Sequence, residues 1–207
     1  MSWRLRQAAH LIGAAAVFLT IWGCGAARPV RYYTLESPAT TEQRAASPYS
    51  VSLLVGRLRA TRLLEDDRIV YGMNPVEMGV YNGHRWAEPP AEMVGTMLVN
   101  ELRATGQYKS VQRLAGAARG DYVLRGRLIS LKELDTPSGI VGRFAIELEL
   151  FQPKTGAVVW TQSYEHDEPV AKKTVNGVVL ALQKNVETGL SQLTASLGQY
   201  FASQDVK

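Results

Sequence analysis

The stretch Phe144-Ala-Ile-Glu-Leu-Glu-Leu150, with the segment Gln152-Pro-Lys-Thr-Gly156 and the run Ala157-Val-Val-Trp-Thr-Gln-Ser-Tyr164 that follow it, decides the fold. Phe144, Ile146, Leu148 and Leu150 alternate with Ala145, Glu147 and Glu149. In an extended chain this sends apolar groups to one face and the two carboxylates to the other. The Pro- and Gly-bearing segment then returns the chain into a second strand, so the region predicts a β-hairpin with one buried face.

Strand-like segments lie on its N-terminal side. Tyr122 to Ile129 reads as a buried strand, Val30 to Leu35 as a first strand rich in aromatic and β-branched residues, and Val51 to Leu58 as a second. Arg68-Ile-Val-Tyr71 and Val76 to Tyr81 form a short pair around Gly72-Met-Asn-Pro75. Ser37 to Pro48 is polar, carries two prolines and predicts no regular structure.

Two helices complete the pattern. Trp86-Ala-Glu-Pro-Pro90 announces the first, because proline suits a first helical turn where its missing N–H has no partner to lose. Val94, Met97, Leu98 and Leu102 then recur at helical spacing, and Gly106 closes the run after Thr105. In the last, Val175, Val178, Val179, Leu182, Val186, Leu190, Leu193, Leu197 and Phe201 keep one apolar stripe over a helix of roughly 40 Å. The polar face opposite is assigned Asn185, Glu187, Thr188, Ser191 and Gln192. A membrane-surface helix would carry Lys and Arg there, so the stripe reads as core packing. The expected architecture is a mixed α/β (α+β) single domain: a mixed, mostly antiparallel β-sheet packed by two main helices, the C-terminal one long.

The N-terminus has a different character. Arg4 and Arg6 precede a nearly unbroken apolar run from Leu11 to Trp22 that ends at Gly23-Cys24. That charge-then-apolar order is the order of a secretory signal. As a helix the run would reach about 18 Å against roughly 30 Å for a bilayer core. The small Gly23 directly before the chain's single cysteine resembles a bacterial lipobox, with Ile21 and Trp22 where Leu and a small residue are usual. The thiolate of Cys24 would take a diacylglyceryl group, and two or three acyl chains hold a protein to a membrane where one holds it only marginally. The alternative is an uncleaved anchor with an incidental Cys24. Gly25 follows in place of the Asp that commonly retains bacterial lipoproteins in the inner membrane, which points to the outer membrane, periplasmic side. The expected organisation is a signal peptide at 1–23, an acylated tether at 24–29 and one domain at 30–207.

Composition narrows the function classes. With Cys24 acylated no thiol remains for a disulfide, so stability has to come from a core. Without the two signal arginines the chain carries twenty-one basic and nineteen acidic residues, a net of +2. Arg57, Arg59, Arg62 and Arg68 are interrupted by Glu65-Asp66-Asp67 and read as a solvated loop and strand edge rather than a nucleic-acid footprint. His84 and His166 stand alone, with no paired His motif for a metal. Gly189-Leu-Ser-Gln-Leu193 misses the second glycine of a nucleophile elbow, and no phosphate-cradling glycine loop is present. Glu147 and Glu149 are explained by a solvent-facing strand. No catalytic residue, cofactor or metal site is expected.

Several segments together resemble the ABC-type transport auxiliary lipoprotein family, which includes the paraquat-inducible auxiliary lipoprotein. They are Tyr32-Tyr33-Thr34-Leu35 soon after the lipobox, Asp67-Arg68-Ile69-Val70-Tyr71, Tyr81 with Trp86-Ala-Glu-Pro-Pro90, and Gly156-Ala-Val-Val-Trp160 before the long last helix. The resemblance spans roughly Val30 to Phe201. It implies a non-enzymatic, periplasm-facing lipoprotein of a lipid-transport system, in which an inner-membrane ABC permease and ATPase pair with a mammalian-cell-entry (MCE) domain protein bridging the periplasm. The auxiliary lipoprotein would dock that bridge at the outer membrane, in some members as a homo-oligomeric ring. On this reading Asp67, Arg68, Tyr71, Tyr81, Trp86, Pro89 and Pro90 are candidate partner-binding residues. Tyr81 and Trp86 are the candidate anchors, since aromatic side chains are enriched among interface hot spots. Trp86 as plain core is the competing reading. The alternative function is a stand-alone lipid-binding carrier of the periplasm, which needs an apolar cavity for acyl chains.

Overall fold

The computed structural model describes residues 29–36, 49–73, 76–116 and 118–204. The signal segment, Cys24 and most of the tether lie outside them, as does the whole polar stretch from Ser37 to Pro48. Within them the chain forms β1 (Arg31–Tyr33), β2 (Tyr49–Val55), β3 (Arg59–Ala60), β4 (Arg68–Gly72), β5 (Met78–Trp86), α1 (Pro90–Ala104), β6 (Tyr108–Arg113), β7 (Tyr122–Thr136), β8 (Gly139–Gln152), β9 (Ala157–Pro169) and α2 (Val175–Ser203).

The strands join in one sheet organised by β7. Along one edge β7 runs antiparallel to β8 from Val123↔Phe151 to Thr136↔Gly139, and β8 passes the pairing on to β9. Along its other edge β7 takes three short strands in succession, all parallel: β2 at Leu53↔Tyr122, β3 at Arg59↔Arg127 and β4 at Tyr71↔Glu133. The sheet therefore splays, with β6 extending it beyond β2, and β5 then β1 beyond β4. The long ladders are antiparallel. Parallel pairing is confined to short ones.

The expected hairpin is β8–β9, and Phe144, Ile146, Leu148 and Leu150 are each at most 1 % exposed. A second hairpin, β7–β8, was not legible because its alternation changes phase. The register shifts between Leu128 and Ser130, leaving Ile129 44 % exposed. Such a bulge moves every later residue to the opposite face. Leu131 and Glu133 then share the core face with Phe144 and Gly142, their Cα partners on β8. Strand β6 also went unread from sequence; it is a short parallel edge strand on β2.

Helix α1 starts at Pro90 with Glu92 in its first turn and buries Val94, Met97, Leu98 and Leu102. Gly106 leaves it with a φ of 62°. Helix α2 is capped by Thr174, whose hydroxyl accepts from the Gly177 N–H at 3.1 Å. It packs on β8, β9 and α1 through the expected stripe, from Val178 and Leu182 to Leu197 and Phe201. Burying each such side chain contributes about 1.5–3 kcal/mol.

The polar face is corrected at one position: Asn185 is fully buried. It lies three residues after Leu182 and four before Gly189, so helical spacing puts it inside the stripe. Its Nδ2 donates to the carbonyls of Gly142 at 2.9 Å and His166 at 2.7 Å, and its Oδ1 accepts from the Tyr164 hydroxyl at 2.9 Å. Every polar atom of the buried amide thus has a partner, and α2 is tied at one point to both β8 and β9. At the other side Glu36, just beyond β1, is held on α2 by two bonds to the Gln183 amide.

Candidate functional site

Three of the motifs read in sequence meet on the face of the sheet where β4, β5 and β1 follow β7. Parallel pairing aligns Tyr71 with Glu133, and antiparallel pairing aligns Tyr71 with Gly79, so the three form one row across β5, β4 and β7. Gly79 has no side chain, and the Tyr71 ring fills the space: a Cβ there would lie 2.4 Å from Tyr71 Cζ. Tyr81, two residues along the same face, places its ring centre 5.0 Å from that of Tyr71. Its hydroxyl donates to Glu133 Oε2 at 2.7 Å.

The strand then kinks at Gly83, whose φ of 73° is open to glycine and costly for other residues. The kink brings His84 back to the side of Tyr81, with their rings edge-on at 6.1 Å. Tyr33, delivered by the parallel pairing of β1 with β5, stacks on His84 at 5.6 Å. Its hydroxyl lies 2.9 Å from His84 Nδ1, a hydrogen bond whose direction follows the imidazole tautomer. The result is a continuous patch, Tyr33–His84–Tyr81–Tyr71 with Glu133 beneath. The four rings are half-buried and the carboxylate is 6 % exposed.

Electrostatics follow from that burial. Burial pushes the Glu133 carboxyl above the ordinary carboxylate range and the Asp135 charge adds to the effect, while the Tyr81 hydrogen bond opposes it. Burial, then the bond to Glu133, raises the Tyr81 phenol, which stays protonated and remains a donor. The patch can therefore offer aromatic faces and hydroxyls to a partner. Among the described residues no three His, Cys, Asp or Glu side chains stand where they could hold a metal ion. No helix among them is long and apolar enough to cross a membrane.

The sequence-derived candidates divide accordingly. Tyr71 and Tyr81 are in the patch. Asp67 and Arg68 flank it as half-buried supports: the Asp67 carbonyl accepts from the Trp86 N–H at 2.6 Å, its carboxylate accepts from Arg85 at 2.6 Å, and Arg68 bonds Asp66 at 2.9 Å. Arg68, and then Asp67, hold the Asp66 carboxyl below its usual range. Pro89 is half-buried at the entry to α1.

Trp86 and Pro90 require correction. Trp86 closes β5 just ahead of the helix entry, is 1 % exposed and packs in the core, in line with the competing core reading, and Pro90 is buried in the first turn of α1. Neither presents surface while the domain is folded. Tyr33, His84 and Glu133 were not among the sequence candidates. Tyr33 belonged to a quoted motif, but nothing local marks His84 or Glu133, and the Ile129 bulge conceals that Glu133 points inward.

Comparison with known proteins bears on this arrangement. No curated protein matches the sequence. Among solved structures, the chain is similar to a Xanthomonas campestris protein of the DUF330 family model, at 20 % identity over 86 % of this chain and 100 % of that one, with a TM-score of 0.76. It is similar to a second, uncharacterized protein at 16 % identity over 83 % and 97 % of the two chains, with a TM-score of 0.62. These likenesses bear on the fold alone. A looser likeness to the PelC dodecamer of Paraburkholderia phytofirmans, 17 % identical over 72 % and 91 % of the chains with a TM-score of 0.45, carries no argument about assembly. The model of one family matches residues 33–194, a span that opens on Tyr33 and takes in the whole patch. The chain belongs to the ABC-type transport auxiliary lipoprotein component family.

Proposed function

We propose that this protein is the non-enzymatic docking lipoprotein of an ABC/MCE-type lipid transport system, held on the periplasmic side of the outer membrane by lipid on Cys24. Its partner is the MCE-domain protein that bridges the periplasm, and through it the inner-membrane permease and ATPase. Membership of an auxiliary lipoprotein family supports the anchored, transporter-associated part of this reading. The observation that carries the docking part is the convergence of Tyr33, Tyr71 and Tyr81 with His84 in one half-exposed aromatic patch. Beside it lies β1, which among the described strands pairs only with β5 and carries Tyr32 at 64 % exposure and, just before it, Val30 at 44 %. Aromatic rings with hydroxyls next to a strand edge left open among the described strands fit a protein partner.

The full-length lipoprotein, purified in mild detergent, should co-purify with the MCE-domain protein of the same cell, without nucleotide or metal and at raised salt. Tyr71→Ala with Tyr81→Ala should break the complex while the protein stays folded. If the two proteins never associate, and deleting the lipoprotein leaves outer-membrane lipid composition and barrier function unchanged, docking is wrong. Intact-mass spectrometry tests the anchor: the mature chain should begin at an acylated Cys24.

A further inference from the structure

On the outer face of the sheet, where β2 leaves β7 and β3 joins it, lies an open cleft of about 500 Å³. Arg57, Arg59 and Arg125 line it with Leu114, Glu149 and a glycine floor at Gly56 and Gly126. Its volume suits a small molecule. It stands toward the start of β7, whereas Glu133 lies eight residues on, about 25 Å along the strand and on the helix-packed face. A partner on the tyrosine patch would leave this cleft open.

Its arginines differ in what already engages them. Arg57 is bound at the rim by Glu92 at 2.5 Å. Arg125 is placed by stacking over the Phe151 ring, 4.4 Å from its centroid, and reaches Glu149 only at 3.7 Å, so among the described residues most of its donors remain open. Arg59 has no carboxylate partner among the described residues. Its Cα neighbour across the parallel ladder is another cation, Arg127, whose own neighbour on β8 is Glu147. Like charges side by side on a sheet repel, and an anion bound between them relieves that repulsion. Leu114, 46 % exposed, adds an apolar wall. A planar guanidinium fork matches the tetrahedral oxygens of phosphate better than a lone ammonium does.

We propose that this cleft is a binding site for a phosphate oxyanion, with Arg59 as its principal ligand, Arg125 as a pre-oriented second donor, and Leu114 as contact for the apolar part of a phosphate ester. The source of the phosphate, free or on a lipid headgroup, is what the experiment separates. The full-length protein in non-ionic detergent is titrated with inorganic phosphate and, separately, with short-chain phosphatidylglycerol, following arginine Nε–H signals by NMR and heat by calorimetry. Saturable binding that shifts the Arg59 and Arg125 signals is expected. Arg59→Ala should weaken it about tenfold, consistent with loss of a charge-assisted hydrogen bond, with thermal stability unchanged. Arg125→Met, which keeps an apolar stem over Phe151, should weaken it similarly.

Tighter binding of the lipid than of phosphate identifies a headgroup site. Equal binding, with each probe displacing the other, identifies a free-phosphate site. The proposal is overturned if neither probe saturates, if sodium chloride at matched ionic strength gives the same shifts, or if both folded variants bind as the parent does.

Discussion

Replacing Tyr81 with phenylalanine removes one oxygen and leaves the ring stack with Tyr71 and His84 in place. That oxygen donates to Glu133 Oε2 at 2.7 Å, and Glu133 is 6 % exposed. A hydrogen bond to an ionised group contributes about 1.5–3 kcal/mol, against about 0.5–1.5 kcal/mol between neutral groups. Tyr81→Phe should therefore cost about 2 kcal/mol at a pH above the folded Glu133 pKa, where the group is a carboxylate, and about 1 kcal/mol near pH 4, below its raised pKa, where it is protonated. Loss of the bond that lowers it should raise the Glu133 pKa further in the variant. The Glu133 carboxyl is already above its ordinary value, so the native state binds the extra proton. Its contribution to stability falls as pH rises from the unfolded to the folded pKa. In the variant that decline should extend to higher pH. Urea unfolding across the pH range, with a carboxyl-carbon NMR titration of Glu133, measures both quantities. Tyr71→Phe is the control, because the Tyr71 ring packs on Tyr81 whereas the hydroxyl facing Glu133 belongs to Tyr81. An equal cost at both pH values with an unchanged Glu133 titration would refute the reasoning.

Other consequences can be checked in the same preparations. Asn185→Leu strips donors from the Gly142 and His166 carbonyls and the acceptor from the Tyr164 hydroxyl, a loss of about 3–5 kcal/mol and a melting temperature lower by about 10 °C; a loss below about 1 kcal/mol would deny that the amide bridges α2 to the sheet. Gly79→Ala should push the Tyr71 ring out of the patch, weakening partner capture with a modest change in melting temperature, because the atoms met are the tip of a side chain. Unaltered capture would exclude Tyr71 from the interface. Arg143 bonds Asp167 through two nitrogens, each at 2.7 Å, and holds its carboxyl below the ordinary value of 3.8. This contribution is present above that value and lost as pH falls through the folded pKa. Arg143→Met should cost no more than about 1 kcal/mol at neutral pH and progressively less as pH falls through the folded Asp167 pKa, as unfolding curves across the acid range would report.

The sequence by itself determined what depends on neighbours along the chain. The alternation of Phe144 to Leu150 named a half-buried strand, the stripe from Val178 to Phe201 named a long packed helix, and Pro90 and Gly106 bracketed α1. Each is a periodic or capping signal contained within a few residues, which is why these elements were legible. The order of Tyr32–Leu35, Asp67–Tyr71 and Tyr81–Pro90 was legible too, and it was enough to point to the family. What that order did not contain was register. Tyr33, Tyr71, Tyr81, His84 and Glu133 become neighbours only because β1 pairs in parallel with β5, and β4 with β7, at one alignment out of several that local pattern would permit. The bulge at Ile129 turns Glu133 inward, the kink at Gly83 returns His84 to the side of Tyr81, and the gap at Gly79 admits the Tyr71 ring. Tertiary structure decided likewise that Trp86 is core and that Asn185 joins three elements. Burial of a single side chain depends on what packs across from it, and strands far apart in the chain supply that surface.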